Sequence, residues 1–277
     1  MSGTSRRTGD FYRVTPEEVE HFRGEGYVHL RGLLAEEELA ELDAIYARFL
    51  AQEIEVQGKD FCDMAGDYRR AAKDFAVVNV MLPRRYHPPL RGNVYERRAA
   101  SVAEQLCGPD MVLDYDQLVA KTPRREDAVF EWHQDLVYWP VTPDPRTASF
   151  WLALDHATVE NGCLHFVPGS HLEPRLRAHR PVLGDRGDSH TLRADVDPDR
   201  DELRPVPITR GDVTVHHERT IHGSPGNRTA GWRRAYIVAF RTRKTVAAER
   251  KLGFTHSHND APDVLDTVGR EDASATT

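Results

Sequence analysis

The sequence predicts an α+β protein in which a β-sandwich or jelly roll is flanked by helices, and three observations carry that expectation. Helical periodicity belongs to the N-terminal part of the chain and stops at Gly108-Pro109. From Met111 onward the texture changes to short β-rich runs separated by Gly, Pro and Asp. A length of 277 residues with ordinary apolar content suits one core with decorations better than two small domains, and neither an internal repeat nor a linker divides it.

The elements follow in order. Residues 1–10 read as a polar tail. Thr15-Pro16-Glu17-Glu18 opens a helix to about Gly24, with Thr15 as cap, Pro16 in the first turn and Glu18 closing a capping box. Gly26 breaks it, and Tyr27-Val28-His29-Leu30 alternates like a half-buried strand. Over residues 35 to about 53, Leu39, Leu42, Ile45, Tyr46, Phe49 and Leu50 recur at helical spacing behind an acidic first turn, which predicts an amphipathic helix. Residues 57–89 mix charge, aromatics and proline, and give no more than a helix or loop around 71–78. Another helix covers residues 95–106. The strand candidates after it are 111–121, 147–154, 163–167, 213–217 and 232–241, with Asn161-Gly162 signalling a type I′ hairpin between two of them. Residues 184–202 are nearly all polar and read as a mobile surface loop, and the chain beyond about Thr255 reads as frayed, giving a second polar tail over 256–277.

Charge and composition exclude several partners. A formal charge of -7 and a pI near 6.1 leave no basic footprint for nucleic acid. The twin arginine Arg6-Arg7 is followed by polar Thr8-Gly9-Asp10 where a signal peptide needs an apolar stretch. No segment approaches the roughly 20 apolar residues that span a bilayer. Cys62, Cys107 and Cys163 are odd in number and scattered, so no disulfide framework is expected. These features point to a reduced, cytoplasmic protein.

The chemistry concentrates in Trp132-His133-Gln134-Asp135, where His133 and Asp135 flank one residue and share a face if the segment is extended. A third ligand could come from the run His216-His217-Glu218-Arg219-Thr220-Ile221-His222, which offers three histidines and a glutamate. Two histidines and one carboxylate with open positions form the facial triad of non-haem iron oxygenases. By itself HxD is a weak signal that a surface histidine beside a carboxylate would also explain. The same run comes near the zinc-protease motif HExxH, but His217 and His222 lie five apart and would not share a helix face. After His222 come Gly223-Ser224-Pro225-Gly226-Asn227 and Arg233. A guanidinium there can grip the distal carboxylate of a dicarboxylate co-substrate bound to the metal through its oxo-acid end.

With these residues the chain resembles the phytanoyl-CoA dioxygenase family of Fe(II)/2-oxoglutarate oxygenases. The resemblance rests on ordered blocks: His133-Gln134-Asp135-Leu136 with Tyr138 and Pro140, Asn161-Gly162-Cys163-Leu164, Pro168-Gly169-Ser170-His171, Gly211-Asp212, and His222-Gly223-Ser224 with Asn227 and Arg233. It covers most of the chain from Gly26 to about Arg241. It implies a double-stranded β-helix, a cupin-like jelly roll, in a single oxygenase domain spanning 1–277. It implies that His133, Asp135 and His222 bind Fe(II), that Arg233 with Ser224 holds the far carboxylate of 2-oxoglutarate, and that Gln117 and Trp151 contact that co-substrate. His216 and His217 are left with structural roles. Related halogenases replace the carboxylate ligand with a small residue, so Asp135 disfavours halogenation.

The resemblance further implies that 2-oxoglutarate and O₂ are consumed to oxidise a C–H bond of a small organic substrate, giving succinate and CO₂. Hydroxylation is the expected outcome; desaturation, epimerisation or oxidative cyclisation of a specialised metabolite would use the same residues. A cupin-like barrel holding a metal without redox turnover is the alternative from another class, and it leaves Arg233 and Ser224 unexplained. Trp139 is read as a wall of the substrate pocket, and His165, His171, His256 and His258 as surface or satisfied core histidines. Arg84-Arg85, Arg124-Arg125 and Arg241 with Arg243-Lys244 read as solvated charge, with a cluster near the barrel mouth binding an anionic substrate such as a CoA thioester, phosphate or carboxylate as the alternative. The expected partner is a small molecule, with no nucleic acid or membrane, and the chain is expected to be a monomer or homodimer.

Overall fold

Thr15 opens the first helix, Pro16–Glu25, through the capping box that the sequence predicts: its hydroxyl accepts from Glu18 N, and Glu18 Oε2 accepts from Thr15 N at 2.9 Å. Gly26, at φ 81°, ends the helix and turns the chain into the strand Tyr27–Leu30. The helix Glu36–Leu50 buries Leu39, Leu42, Tyr46 and Phe49. The helix Val94–Cys107, capped by Asn93, buries Tyr95, Ala99, Val102 and Ala103 on one face. This computed structural model describes residues 6–140, 144–184, 187–265 and 268. Among the described residues no helix is long and apolar enough to cross a membrane, and all three cysteines are free.

The helices lie on a seven-stranded antiparallel sheet ordered Tyr27–Leu30, Val213–His216, Thr147–Ala153, Arg233–Thr242, Met111–Lys121, Val77–Met81 and Phe61–Asp63. Because side chains alternate along a strand, each strand has two jobs. Phe150, Leu152, Val213, Val215 and Val238 face the helices and are fully buried in one apolar cluster with Leu39 and Val102, each contributing about 1.5–3 kcal/mol. The intervening residues, Trp151, Ala153 and Ala235, face the other way and pack on Leu164 and Phe166. Those two belong to a second antiparallel sheet, of four strands, ordered Arg204–Val206, Leu164–Phe166, His222–Ser224 and Phe130–His133. Two facing antiparallel sheets with helices on one outer face make the cupin-like jelly roll.

Several local expectations are corrected. Of the turn residues Asn161 and Gly162, only Gly162 has positive φ (85°), whereas a type I′ turn needs both. The flanking strands lie in different sheets, so this segment crosses between sheets and is no hairpin. A Cβ on Gly162 would stand 2.3 Å from Pro225 O, which is why the crossing needs glycine. Around residues 71–78 the chain forms a short 3-10 turn, Ala72–Asp74, and then the buried strand Val77–Met81. Within the supposed loop 184–202, the strand Leu192–Ala194 pairs with His179–Pro181, and Ser189, Thr191, Leu192 and Ala194 are buried; residues 185–186 fall outside the described residues. The first half of the N-terminal tail, residues 1–5, is likewise outside them, but Arg7–Thr8 pairs with Phe11–Tyr12.

Two further corrections bear on the site. The chain after Thr255 is not frayed at first, since His256, Ser257 and His258 are buried; the last residues, 266–267 and 269–277, lie outside the described residues. Arg241 is not solvated either. It is fully buried, with Nε 3.2 Å from Glu218 Oε2 and Nη1 hydrogen-bonded to Glu249, because residue 241 falls on the inward face of its strand. The helix Arg243–Lys251, unforeseen in the sequence, brings Glu249 to it.

Candidate metal and co-substrate site

The register of the small sheet sets His222 directly opposite His133. Gly223 makes that closeness possible: a Cβ there would lie 3.1 Å from Trp132 N and 3.2 Å from Phe130 O. Asp135 opens a 3-10 turn, Asp135–Tyr138, immediately after the strand that carries His133. All three residues are buried, and their donor atoms lie within 4.8 Å of one another.

Hydrogen bonds behind these residues fix which atoms face inward. His133 Nδ1 meets Glu131 O at 2.7 Å and His222 Nδ1 meets Thr220 O at 2.9 Å. A carbonyl only accepts, so each Nδ1 carries the proton and each Nε2 keeps its lone pair. On Asp135, Oδ2 is engaged by Ser149 Oγ at 3.0 Å and by His216 Nε2 at 3.2 Å. The other oxygen, Oδ1, converges on His133 Nε2 at 3.4 Å and His222 Nε2 at 3.6 Å. Burial pushes the Asp135 carboxyl up, but hydrogen bonding, that from His216 Nε2 included, outweighs it and the group stays well below the usual carboxylate range. Burial, helped by His133 and His216, pulls His222 well below the usual imidazole value. A lone pair on each of two neutral imidazoles plus one ionised carboxylate oxygen is the donor set of the 2-His-1-carboxylate triad.

Beside these three lies a cavity of roughly 500 Å³ whose wall includes Gln117, Trp151, Ser224 and Arg233. Arg233 is 1% exposed, and its Nε and Nη1 have no hydrogen-bond partner. Its guanidinium stacks over Trp151, 4.9 Å from the ring centroid. Burial lowers its pKa to about 10, which still leaves it protonated at neutral pH. A buried cation with unused donors is costly unless an anion joins it. The site therefore fits a dicarboxylate whose far end reaches Arg233 while its near end approaches the triad. Gln117 donates to Asn79 Oδ1 at 2.5 Å, so part of its amide is already committed.

A larger cavity, roughly 880 Å³ and partly open to solvent, opens on the other side of His133 and Asp135 and includes Trp139. Sequence reasoning missed most of its wall. Tyr115, Phe130, His190, Phe254, His256 and His258 line it. His190 sits in the run read as loop, and His256 and His258 in the run read as tail; the histidines of His256-Ser257-His258 were the one available signal. Lys121 was also missed: fully buried, it donates to Ala128 O at 2.6 Å and Ser224 O at 3.0 Å, and so ties down the chain just after His222.

A second trio, Asp114, Glu249 and His256, also brings donor atoms within 4.8 Å. Its carboxylates are already matched by cations, Asp114 by Arg250 and Glu249 by Arg241, which occupy the place a metal would need. His165 and His171 stay away from the triad; His171 Nε2 meets Arg23 O at 3.0 Å.

A family model described as phytanoyl-CoA dioxygenase (PhyH) matches residues 22–235. Peroxisomal phytanoyl-CoA dioxygenase of Rattus norvegicus is 25% identical over 224 residues, covering 79% of this chain and 66% of that relative, just under two thirds of its length. Among solved structures, EvdO2 from Micromonospora carbonacea var. aurantiaca aligns with a TM-score of 0.68 at 31% identity, over 84% of this chain and 92% of EvdO2; EvdO2 has also been solved complexed with 2-oxoglutarate. SnoK, a non-heme α-ketoglutarate-dependent carbocyclase from nogalamycin biosynthesis, aligns with a TM-score of 0.63 at 28% identity, over 82% of this chain and 83% of SnoK.

Proposed function

From the premise that the chain belongs to the phytanoyl-CoA dioxygenase family of Fe(II)- and 2-oxoglutarate-dependent oxygenases, we propose that it oxidises an unactivated C–H bond of a small organic molecule, with hydroxylation as the outcome. One observation carries the reading beyond family membership: a buried Arg233 with two unpartnered nitrogens shares a cavity with His133, Asp135 and His222. In this reading His133 and His222 hold iron through Nε2 and Asp135 through its carboxylate, while Arg233 and Ser224 grip the far carboxylate of 2-oxoglutarate. Iron with 2-oxoglutarate and O₂ supplies the oxidising power, the 2-oxoglutarate being split to succinate and CO₂.

The chain's own work is positioning and exclusion. Glu131 O and Thr220 O keep both imidazoles turned Nε2-inward, and Ser149 with His216 keeps one Asp135 oxygen from swinging. Trp151 lies under the guanidinium of Arg233 and leaves its unpartnered nitrogens for a planar carboxylate. The aromatic wall of the larger cavity holds the target bond and keeps bulk water away. Helices, sheets and the segment 254–265 all serve this one site, so the chain acts as a single oxygenase domain.

The likeness to SnoK, a carbocyclase, supports a second outcome, ring closure, from the same residues. Product mass separates them: hydroxylation adds one oxygen, whereas oxidative cyclisation removes two hydrogens. The reading as an oxygenase is tested by anaerobic titration of the protein with Fe(II) and 2-oxoglutarate, following the weak visible absorption of the chelate. The expected result is a band in the wild type that is lost in His222→Ala. Folded, iron-loaded protein without a band at saturating 2-oxoglutarate would sink the reading in favour of a non-redox barrel.

A further inference from the structure

The segment after the last helix is built into the wall of the larger cavity. Ser257 Oγ donates to Asp60 Oδ2 at 2.8 Å, His258 N donates to Asp60 Oδ1 at 2.8 Å, and Thr255 donates through N and Oγ1 to Asp260 at 2.6 Å. Between these anchors His256 is held by its neighbours. Its ring stacks on Tyr115 at 4.5 Å and 25°, and meets Trp139 and Phe254 edge-on at 5.5 and 4.6 Å.

The two nitrogens of His256 have opposite fates. Nε2 turns away to Asp114 Oδ2 at 2.9 Å. Nδ1 is buried and has no partner in the protein, on a residue that lines the cavity. Burial pushes Asp114 up, but the hydrogen bond from His256 and the charges of Arg250 and Arg241 outweigh it and keep the carboxyl well below the usual range. Burial lowers His256 itself, and Arg250 and Arg241 also disfavour a second positive charge beside them. A neutral ring facing an ionised carboxylate through Nε2 must place its proton there and leave a lone pair on Nδ1.

We infer that His256 Nδ1 accepts a hydrogen bond from a substrate hydroxyl, and that the substrate is a hydroxyl-bearing ring compound, an inference that deepens the oxygenase reading and rests on it. Flat faces dominate the wall. Tyr138 stacks on His190 at 4.7 Å, and His190 on His258 at 3.9 Å, surfaces that suit rings better than a flexible chain. Among the described residues Lys59 is the only Lys or Arg on this wall, and its Nζ lies 4.6 Å over the Tyr68 ring. A nucleotide thioester with several phosphate charges would need more cations than that.

The test uses the full chain labelled with ¹⁵N-histidine and two uncharged fused-ring probes, 2-naphthol and its methyl ether 2-methoxynaphthalene, which lacks the donor. NMR should show His256 as the Nε2–H tautomer. The Nδ1 resonance should move on adding 2-naphthol and stay still with the ether. Wild type should prefer 2-naphthol by about three- to tenfold, and His256→Phe, which keeps a flat ring, should lose that preference. A proton on Nδ1, an unmoved Nδ1 at the solubility limit of 2-naphthol, or the same preference in His256→Phe would each overturn the inference. If that variant does not fold, the wild-type Nδ1 response decides alone. None of these readouts uses iron, so failure here is distinct from failure of the chelate titration.

Discussion

Arg233→Met should move two measurements in opposite directions. Without co-substrate, the wild-type guanidinium is 1% exposed and two of its nitrogens lack partners. Taking an ion out of water costs several kcal/mol even after relaxation, and stacking on Trp151 returns about 2 kcal/mol. Methionine fills much of the same volume with no charge, so the substrate-free variant should be more stable by about 1–3 kcal/mol. In a chain of 277 residues that raises the unfolding midpoint by about 2–12 °C. With 2-oxoglutarate and a divalent metal the sign reverses. Losing one partner of a buried, hydrogen-bonded charge pair costs about 2–5 kcal/mol, which weakens 2-oxoglutarate by roughly 30- to 4,000-fold. Differential scanning fluorimetry across a 2-oxoglutarate series reads both effects. Wild type at 100 times its Kd should gain about 2.7 kcal/mol, and the variant should show little shift at the same concentration. A variant less stable than wild type when unliganded, yet binding 2-oxoglutarate with unchanged Kd, would refute the reasoning, because Arg233 would then be a structural cation.

Three other substitutions probe the surroundings. His216→Phe keeps a ring beside His222 but removes the hydrogen bond to Asp135 Oδ2; iron affinity, measured by competition with a chromophoric chelator, should fall about 10- to 100-fold. Arg241→Met leaves Glu218, Glu249 and Asp114 without their shared buried cation. The cost should be about 3 kcal/mol, because Glu218 and Glu249, already pushed by burial to about 7 and about 8, can take up protons; the unfolding midpoint should drop by about 6–12 °C. Burial raises Asp116 to about 7 against the pull of Arg84. The folded state thus holds a proton that the unfolded chain loses near pH 4. That contribution to stability is fully present below about pH 4 and is lost as pH rises through about 7. Asp116→Asn should flatten this part of the profile of unfolding midpoint against pH.

Local order was legible wherever a short signal decides structure. Thr15 and Glu18 cap a helix through contacts three residues apart, and the apolar spacing of Leu39, Leu42, Tyr46 and Phe49 needs only a helix to become one face. The strand register was legible in part: alternation in Thr147–Ala153 tells that Phe150 and Trp151 face opposite ways, though not which sheet each meets. Signals failed where distant partners decide. Residues 187–202 and 256–258 read as solvated because they are polar, yet several of their buried polar groups find partners far along the chain, as Thr191 does at Met64, Ser257 and His258 at Asp60, and His256 Nε2 at Asp114. Arg241 was misread for the same reason, since its burial depends on Glu218 and Glu249 arriving from other elements.

By itself the sequence determined the α+β order of elements, and it named His133, Asp135, His222, Arg233, Ser224, Gln117, Trp151 and Trp139 as the residues to examine. Only the tertiary structure decided that three of them converge through Nε2, Nε2 and Oδ1, and that the guanidinium of Arg233 is buried with donors to spare. It also closed one side of the larger cavity with the segment 254–265. The physical reason is that a spacing of a few residues fixes the face of a strand or helix, whereas convergence, tautomer and burial depend on which carbonyl, carboxylate or ring is brought alongside from far away in sequence.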